Sequence, residues 1–290
     1  MEDPQKDPAA PRRSQARGGT LQRGRRPREL GASVGTGPPA QDGAALQARA
    51  RSFGAVAASY AVLRPIYPAD AVEFLVGRDP ALDVLDVGAG TGLLSEVVVG
   101  LGHRVRAVDP APEMLAQLAA RLPAVATAVG AAESLPVDDG SVDVVVAGQA
   151  AHWFDPGPAA REIRRVLRGS GVVGFIWNTR DVRVPWVAAL EGAIADESRG
   201  HEADQRVVDL MAAELDADVE VVESAIVQRV SPEDVVAGIG TRSYVALMDD
   251  AARDEFLSGI RALLAGHPDT CGRAQLELPY RTHAYRLTPR

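Results

Sequence analysis

The sequence predicts an α/β protein, with a doubly wound, mostly parallel sheet covered by helices on both faces and preceded by a disordered leader. Three observations predict it. From about residue 80, apolar runs of strand length alternate with amphipathic stretches of helix length. A glycine loop, Asp86-Val87-Gly88-Ala89-Gly90-Thr91-Gly92, joins the first strand of that series to its first helix. The composition also changes near residue 50, from Pro, Gly, Arg, Gln and Ser to a core-forming mixture.

The elements follow in order. Leu82 to Val87 is a short apolar run ending at glycines, which reads as a buried strand. Thr91 to Leu101 carries Leu93, Leu94, Val97, Val98 and Leu101 on one face, with Gly102 past its end, and reads as a helix. Arg104 to Val108 is a second strand. Pro112 to Leu122 is a second helix, with Pro112 and Glu113 in its first turn and Pro123 as its stop. Strands are expected near 124–129, 142–147 and 172–177, with a helix near 157–168. The C-terminal part predicts helices near 184–197, 203–214, 232–239 and 250–265, and strands near 219–229 and 276–287.

Charge divides the chain. Residues 1–50 hold nine basic and five acidic side chains, whereas the rest holds 22 basic and 34 acidic. An acidic body argues against nucleic acid as a partner, because phosphate binding needs clustered Lys and Arg. A small-molecule acceptor fits better. The leader, residues 1–50, has too few large apolar side chains to offset its ordering entropy; it reads as a tail or a misplaced start, with a basic contact arm as the alternative. Cys271 is the only cysteine, so no internal disulfide and no cysteine metal cage is possible, and the five histidines lack metal-ligand spacing. No apolar stretch approaches the roughly 18–20 residues of a membrane span. A soluble, cytoplasmic protein of undetermined oligomeric state is the expectation. Lys6 is the only lysine, which excludes from the body Schiff-base chemistry, phosphate-loop nucleotide hydrolysis and Tyr-x-x-x-Lys dehydrogenation.

The glycine loop carries the chemistry. Glycines let the backbone turn sharply and let a ligand approach its N–H groups. Gly88, Gly90 and Gly92 recur at every second position, and Leu93 stands where the dinucleotide fingerprint wants its last glycine. Asp109 ends the second strand, 21 residues beyond Gly88, where an open α/β sheet offers a carboxylate to a ribose. After the third strand comes Gly130-Ala131-Ala132-Glu133-Ser134-Leu135-Pro136, which would bring backbone and Glu133 to the same side of the site. The fourth strand runs into Ala147-Gly148-Gln149-Ala150-Ala151-His152-Trp153-Phe154-Asp155. All of these meet at the carboxyl edge of the sheet.

Taken together, D-V-x-D-V-G-x-G-T-G, the downstream acid, G-x-A-E-x-L-P and Q-A-x-H-W-F resemble the small-molecule class I methyltransferases of the methyltransferase 11 type. Within them the chain is similar to the branch that includes trans-aconitate methyltransferase-like proteins. Phe53-Gly54 to Tyr60, Arg64-Pro65, Tyr67-Pro68 and the segment from Leu278 to Tyr285 also match that branch, so the resemblance covers roughly residues 51–290. It implies one methyltransferase domain over 51–290, with a cofactor-binding core at about 80–178 and acceptor-side elements at about 179–290. It also implies a seven-stranded sheet whose added strand is antiparallel, Leu276 to Leu287 supplying one of the last two strands, and S-adenosylmethionine as cofactor. In the family pattern Gly88, Ala89, Gly90 and Gly92 cradle the methionine portion, and Asp86 positions that loop. Asp109 holds the ribose, Met114 flanks the adenine, Ala132 and Glu133 line its edge, and Gln149 lies beneath the sulfonium. Tyr60 and Arg64 belong to a lid. Ala131 departs from the acidic residue common there, which shifts the adenine contact to Glu133 or backbone.

His152 is the candidate general base, because it follows the strand that approaches the transferred methyl and imidazole as a group suits proton transfer near neutral pH; a pocket-wall role competes. Trp153 and Phe154 are candidates for an acceptor pocket or for core packing, Trp177 and Asn178 for acceptor contacts, and Arg242, Ser243 and Tyr244 for residues that reach the pocket. His267 and His283 read as structural. The alternative to an enzyme is a non-catalytic methyltransferase-like domain that binds the cofactor or a partner.

Overall fold

The computed structural model describes residues 22–23, 64–79, 81–194, 201–240, 245 and 248–290. Seven strands build one sheet: β1 (Asp83–Val87), β2 (Arg104–Asp109), β3 (Ala126–Val129), β4 (Val142–Gly148), β5 (Leu167–Arg180), β6 (Ala217–Val230) and β7 (Leu276–Pro289). Their spatial order is β6-β7-β5-β4-β1-β2-β3, and Gln22–Arg23 add a two-residue antiparallel extension outside β6. Apart from those two, the leader expected to be disordered lies outside the described residues. Strands β1 to β5 pair in parallel, and β7 runs antiparallel to both β5 and β6. This agrees with the expected doubly wound, mostly parallel sheet.

Eight α-helices are described: α1 (Ala69–Val76), α2 (Leu93–Gly100), α3 (Pro112–Arg121), α4 (Pro156–Val166), α5 (Pro185–Ile194), α6 (His201–Glu214), α7 (Pro232–Gly240) and α8 (Asp250–Gly266). Helices α1, α2 and α3 bury Leu75, Val98 and Leu118 against one sheet face. Helices α4 and α6 bury Ile163 and Met211 against the other. A third core gathers Trp186 and Leu190 of α5, Ile239 of α7 and Ile260 of α8 around Leu276 and Leu278 of β7. Helix starts obey local rules: Pro112 and Pro156 open α3 and α4, and the Asp249 side chain accepts from Ala252 N at 2.9 Å at the start of α8.

Two elements depart from the sequence reading. Helix α1 was not expected, although Pro68 precedes it, Gly77 follows it, and Ala71, Val72, Leu75 and Val76 form its buried face. Strand β5 begins five residues earlier than the apolar run at 172–177 implies: Leu167 pairs with Val142, regular pairing resumes at Val172 opposite Val144, and the glycine-containing stretch from Arg168 to Gly171 forms an irregularity between them. Among the described residues, no helix is long and apolar enough to cross a membrane.

Strand order reverses between β1 and β4, the central pair. At that point the loops leaving the carboxyl ends of neighbouring strands splay to opposite faces and leave a crevice.

Candidate functional site

A cavity of about 370 Å³ opens at this switch point. Its floor is the glycine loop after β1, and its sides come from the ends of β2, β4 and β5 and from the segment after β3. The floor depends on backbone that only glycine adopts easily: Gly88, Gly90 and Gly92 have φ of 70°, 56° and 84°. Close packing adds a second requirement at two of them. A Cβ on Gly88 would stand 2.6 Å from Ala150 Cβ, and one on Gly92 2.7 Å from Leu118 Cγ.

Two carboxylates order the loop. Asp86 is buried, and Ser95 Oγ donates to its Oδ2 at 2.6 Å, while Oδ1 has no partner. Burial pushes its carboxyl up to about 7; the Ser95 hydrogen bond opposes the shift and the nearby Asp109 charge adds to it. Asp109 accepts from Gly90 N through Oδ2 and from Ala111 N through Oδ1, each at 2.8 Å. Burial raises its carboxyl too, against those two amide bonds. A carboxylate offers about four lone-pair positions, so Asp109 can still accept from a pair of hydroxyls on the cavity side. Thr91 Oγ1 is a second buried oxygen of the cavity lining without a partner. Buried oxygens that lack donors suit a ligand bringing N–H, O–H and positive charge, as S-adenosylmethionine does.

The remaining expected residues fall into three groups. Gly88, Ala89, Gly90, Asp86, Asp109, Met114, Ala132, Glu133, Gln149 and Arg64 all line the cavity. Gly92 shapes the turn from below, and Tyr60 lies outside the described residues, as do Arg242, Ser243 and Tyr244. His152 is not part of the lining. Trp177 Nε1 donates to its Nδ1 across a long 3.5 Å, and its ring lies 4.9 Å from that of Trp153. Trp153 and Phe154 do line the cavity, as does Asn178. Trp177, expected as an acceptor contact, instead packs between Phe175 and Tyr285 in the core, with 2% of its surface exposed. Alternation along β5 sends it to the opposite face from Asn178. Burial lowers His283 to about 4, and it stacks on His201 with ring centroids 4.0 Å apart, which suits the structural role read from sequence.

Glu133 has a structural bond of its own, since its Oε1 accepts from Asp155 N at 2.8 Å just before α4. The segment it belongs to is gripped by two residues that sequence reasoning missed. Glu162 Oε2 accepts from Leu135 N at 2.8 Å, and Arg165 donates to Leu135 O at 2.9 Å and Val137 O at 2.7 Å. The Arg165 guanidinium holds Glu162 down to about 2. Their spacing on one helix face was visible; the loop they grasp was not.

Comparison with known proteins agrees with this geometry. A family model described as a methyltransferase domain matches residues 85–175, from β1 into β5. An uncharacterized methyltransferase of Mycobacterium bovis is 39% identical over 237 residues, which span 82% of this chain and 95% of the relative. A malonyl-[acyl-carrier protein] O-methyltransferase of Pectobacterium atrosepticum is 35% identical over 133 residues, 44% of this chain and 52% of that protein. Among solved structures, an Anaeromyxobacter dehalogenans protein proposed to be a type II methyltransferase matches with a TM-score of 0.55 at 26% identity, over 78% of this chain and 97% of that one. Similarity that runs nearly the whole length of a relative, on a sheet whose switch point carries the glycine loop and its acid, leads to one conclusion: the chain belongs to the methyltransferase family.

Proposed function

We propose that this methyltransferase binds S-adenosylmethionine in the cavity and transfers its methyl group in line to a small-molecule acceptor. The observation that carries the reading is the coupling of the glycine loop to Asp109, whose carboxylate holds Gly90 N and keeps lone pairs for ribose hydroxyls. Bound there, the cofactor supplies a methyl group already activated on a sulfonium sulfur, so the protein's work is alignment and exclusion of water. Asp86, Gly88, Ala89, Gly90 and Gly92 receive the methionine portion. Met114, Ala132 and Glu133 border the adenine, Gln149 underlies the sulfur, and Arg64 borders the near side, as the described part of the lid to which the resemblance also assigns Tyr60. Trp153 and Phe154 form the acceptor wall. His152 serves as a base only for an acceptor that must lose a proton, and only after turning away from Trp177. An oxygen acceptor agrees with the relative named as an O-methyltransferase. The functional unit runs over 51–290, and the flanking Arg64-Pro65 and Leu278-to-Tyr285 matches support the trans-aconitate methyltransferase-like branch. The single cysteine suits a cytoplasmic protein.

Isothermal titration with S-adenosylmethionine and S-adenosylhomocysteine tests the reading. Asp109→Ala is expected to weaken binding roughly 30-fold or more, the loss of about 2 kcal/mol of charge-assisted hydrogen bonding. Absence of binding heat from folded wild-type protein with both ligands would sink it.

A further inference from the structure

The residues Arg64-Pro65-Ile66-Tyr67-Pro68 form a strap without regular secondary structure at the carboxyl edge of the sheet, just before α1 begins. Arg64, Pro65 and Tyr67 line the cavity, so the strap is one of its walls. Two contacts help to seat it. Tyr67 packs into the space left by the missing Cβ of Gly148, where an added Cβ would stand 2.6 Å from the phenol oxygen. Ile66 O accepts from Asn178 Nδ2 at 3.2 Å.

Asn178 is joined on every side. Its Oδ1 accepts from Thr282 Oγ1 of β7 at 2.6 Å, and its backbone carbonyl accepts from Gln149 Nε2 at 2.7 Å. Gln149 in turn holds a left-handed φ of 54°, costly for a residue with a side chain and sustained here by neighbouring bonds. The direction of the Asn178 amide follows from its partners. Ile66 O can only accept, so the NH₂ group must face the strap, and Thr282 must donate to the other end. The bond therefore discriminates between an amide and its isosteric acid.

The geometry points to Asn178 as a positioning residue that latches the strap over the cavity while holding Gln149 on the opposite wall. Thr282 fixes the amide in the latching orientation. Fully buried Thr282 and nearly buried Asn178 keep water from replacing these bonds. The inference rests on the cavity being the cofactor site, but the latch itself has a readout that needs no ligand.

Asn178→Asp tests it. The acid keeps the Thr282 donor and the backbone bond to Gln149, but sets a carboxylate oxygen against Ile66 O. In the ligand-free protein, amide hydrogen exchange of a peptide covering residues 64–72 is expected to speed up about tenfold, with exchange in β1 and β4 unchanged. In stopped-flow measurements, S-adenosylhomocysteine is expected to leave about tenfold faster, the equivalent of about 1.4 kcal/mol. Thr282→Val, which lets the amide rotate, is expected to give a smaller change of about threefold in both readouts. It also carries the test if the acid variant fails to fold. Exchange and release within twofold of wild type in a folded variant would overturn the latch. Faster exchange with no wild-type ligand binding would keep the latch and overturn the cofactor reading instead.

Discussion

At the carboxyl end of β1 the buried carboxyl of Asp86 is bonded by Ser95 and has the like charge of Asp109 nearby, whereas at the end of β5 the largely buried guanidinium of Arg180 meets Glu191 of α5 at 2.5 Å. Each keeps one polar atom without a partner, Asp86 Oδ1 and Arg180 Nε. Asp86 lines the cavity and Arg180 does not. With no cation beside it, Asp86 shifts toward neutrality. Arg180 stays charged, as a guanidinium does at any ordinary pH; burial opposes the charge and Glu191 offsets that as its counter-ion, and the pair ties α5 and its separate core to the sheet. A buried charge with a counter-ion joins elements of the fold, whereas one without a counter-ion marks a place prepared for a ligand.

The largest effect expected from this contrast is at the glycine loop. Gly88→Ala forces a side chain into a left-handed position and into Ala150, which together cost at least about 2 kcal/mol. Binding of S-adenosylmethionine by titration is expected to weaken at least about 30-fold. Unchanged affinity would mean that the loop is not the floor of the site.

Arg180→Ala should behave in the opposite way. Removing the donor to Glu191 should lower stability in urea by about 2 kcal/mol while S-adenosylhomocysteine affinity stays within twofold. A variant with intact stability and lost affinity would erase the division between the two regions.

The pH dependence is a subtler comparison, because two groups pull in opposite directions. Folding raises Asp86 from 3.8 to about 7, so the folded state holds the extra proton across that window and stability is lost as pH rises through it. Folding lowers His283 from 6.5 to about 4, so the unfolded state holds the extra proton and stability is lost as pH falls from 6.5 toward 4. Asp86→Asn is expected to make urea stability climb more steeply between pH 4 and 7, and His283→Gln to make it fall more steeply. The groups facing His283 are His201 of α6, Glu223 of β6 and Arg281 of its own strand. Parallel profiles for wild type and both variants would show that neither group titrates as its burial implies.

Much of the site was legible because it is local in sequence. Gly88, Gly90, Gly92 and Asp109 each sit at a strand end whose position follows from apolar runs a few residues long, and a ligand-approach loop needs glycine for backbone reasons that no distant contact alters. Helix α1 escaped because its eight residues span only about two turns: Ala71, Val72, Leu75 and Val76 do recur at helical spacing, but a window so short gives the period little length to show itself. The orientation of His152 was hidden for a related reason. Sequence places it after β4, but whether it faces the cavity depends on Trp177, 25 residues away on the neighbouring strand.

By itself, then, the amino-acid sequence determined the alternating elements, the strand that ends in Asp86, the glycine turn and the acid that follows it, since these depend on short-range periodicity and on backbone conformations that few residues tolerate. Tertiary structure alone decided which polar groups meet. Asn178 reaches Ile66 across 112 positions and Thr282 across 104, and His201 stacks on His283 from another layer. Hydrogen bonds and ring contacts have a reach of a few ångströms, so pairs so far apart along the chain become neighbours only when the sheet has ordered its strands.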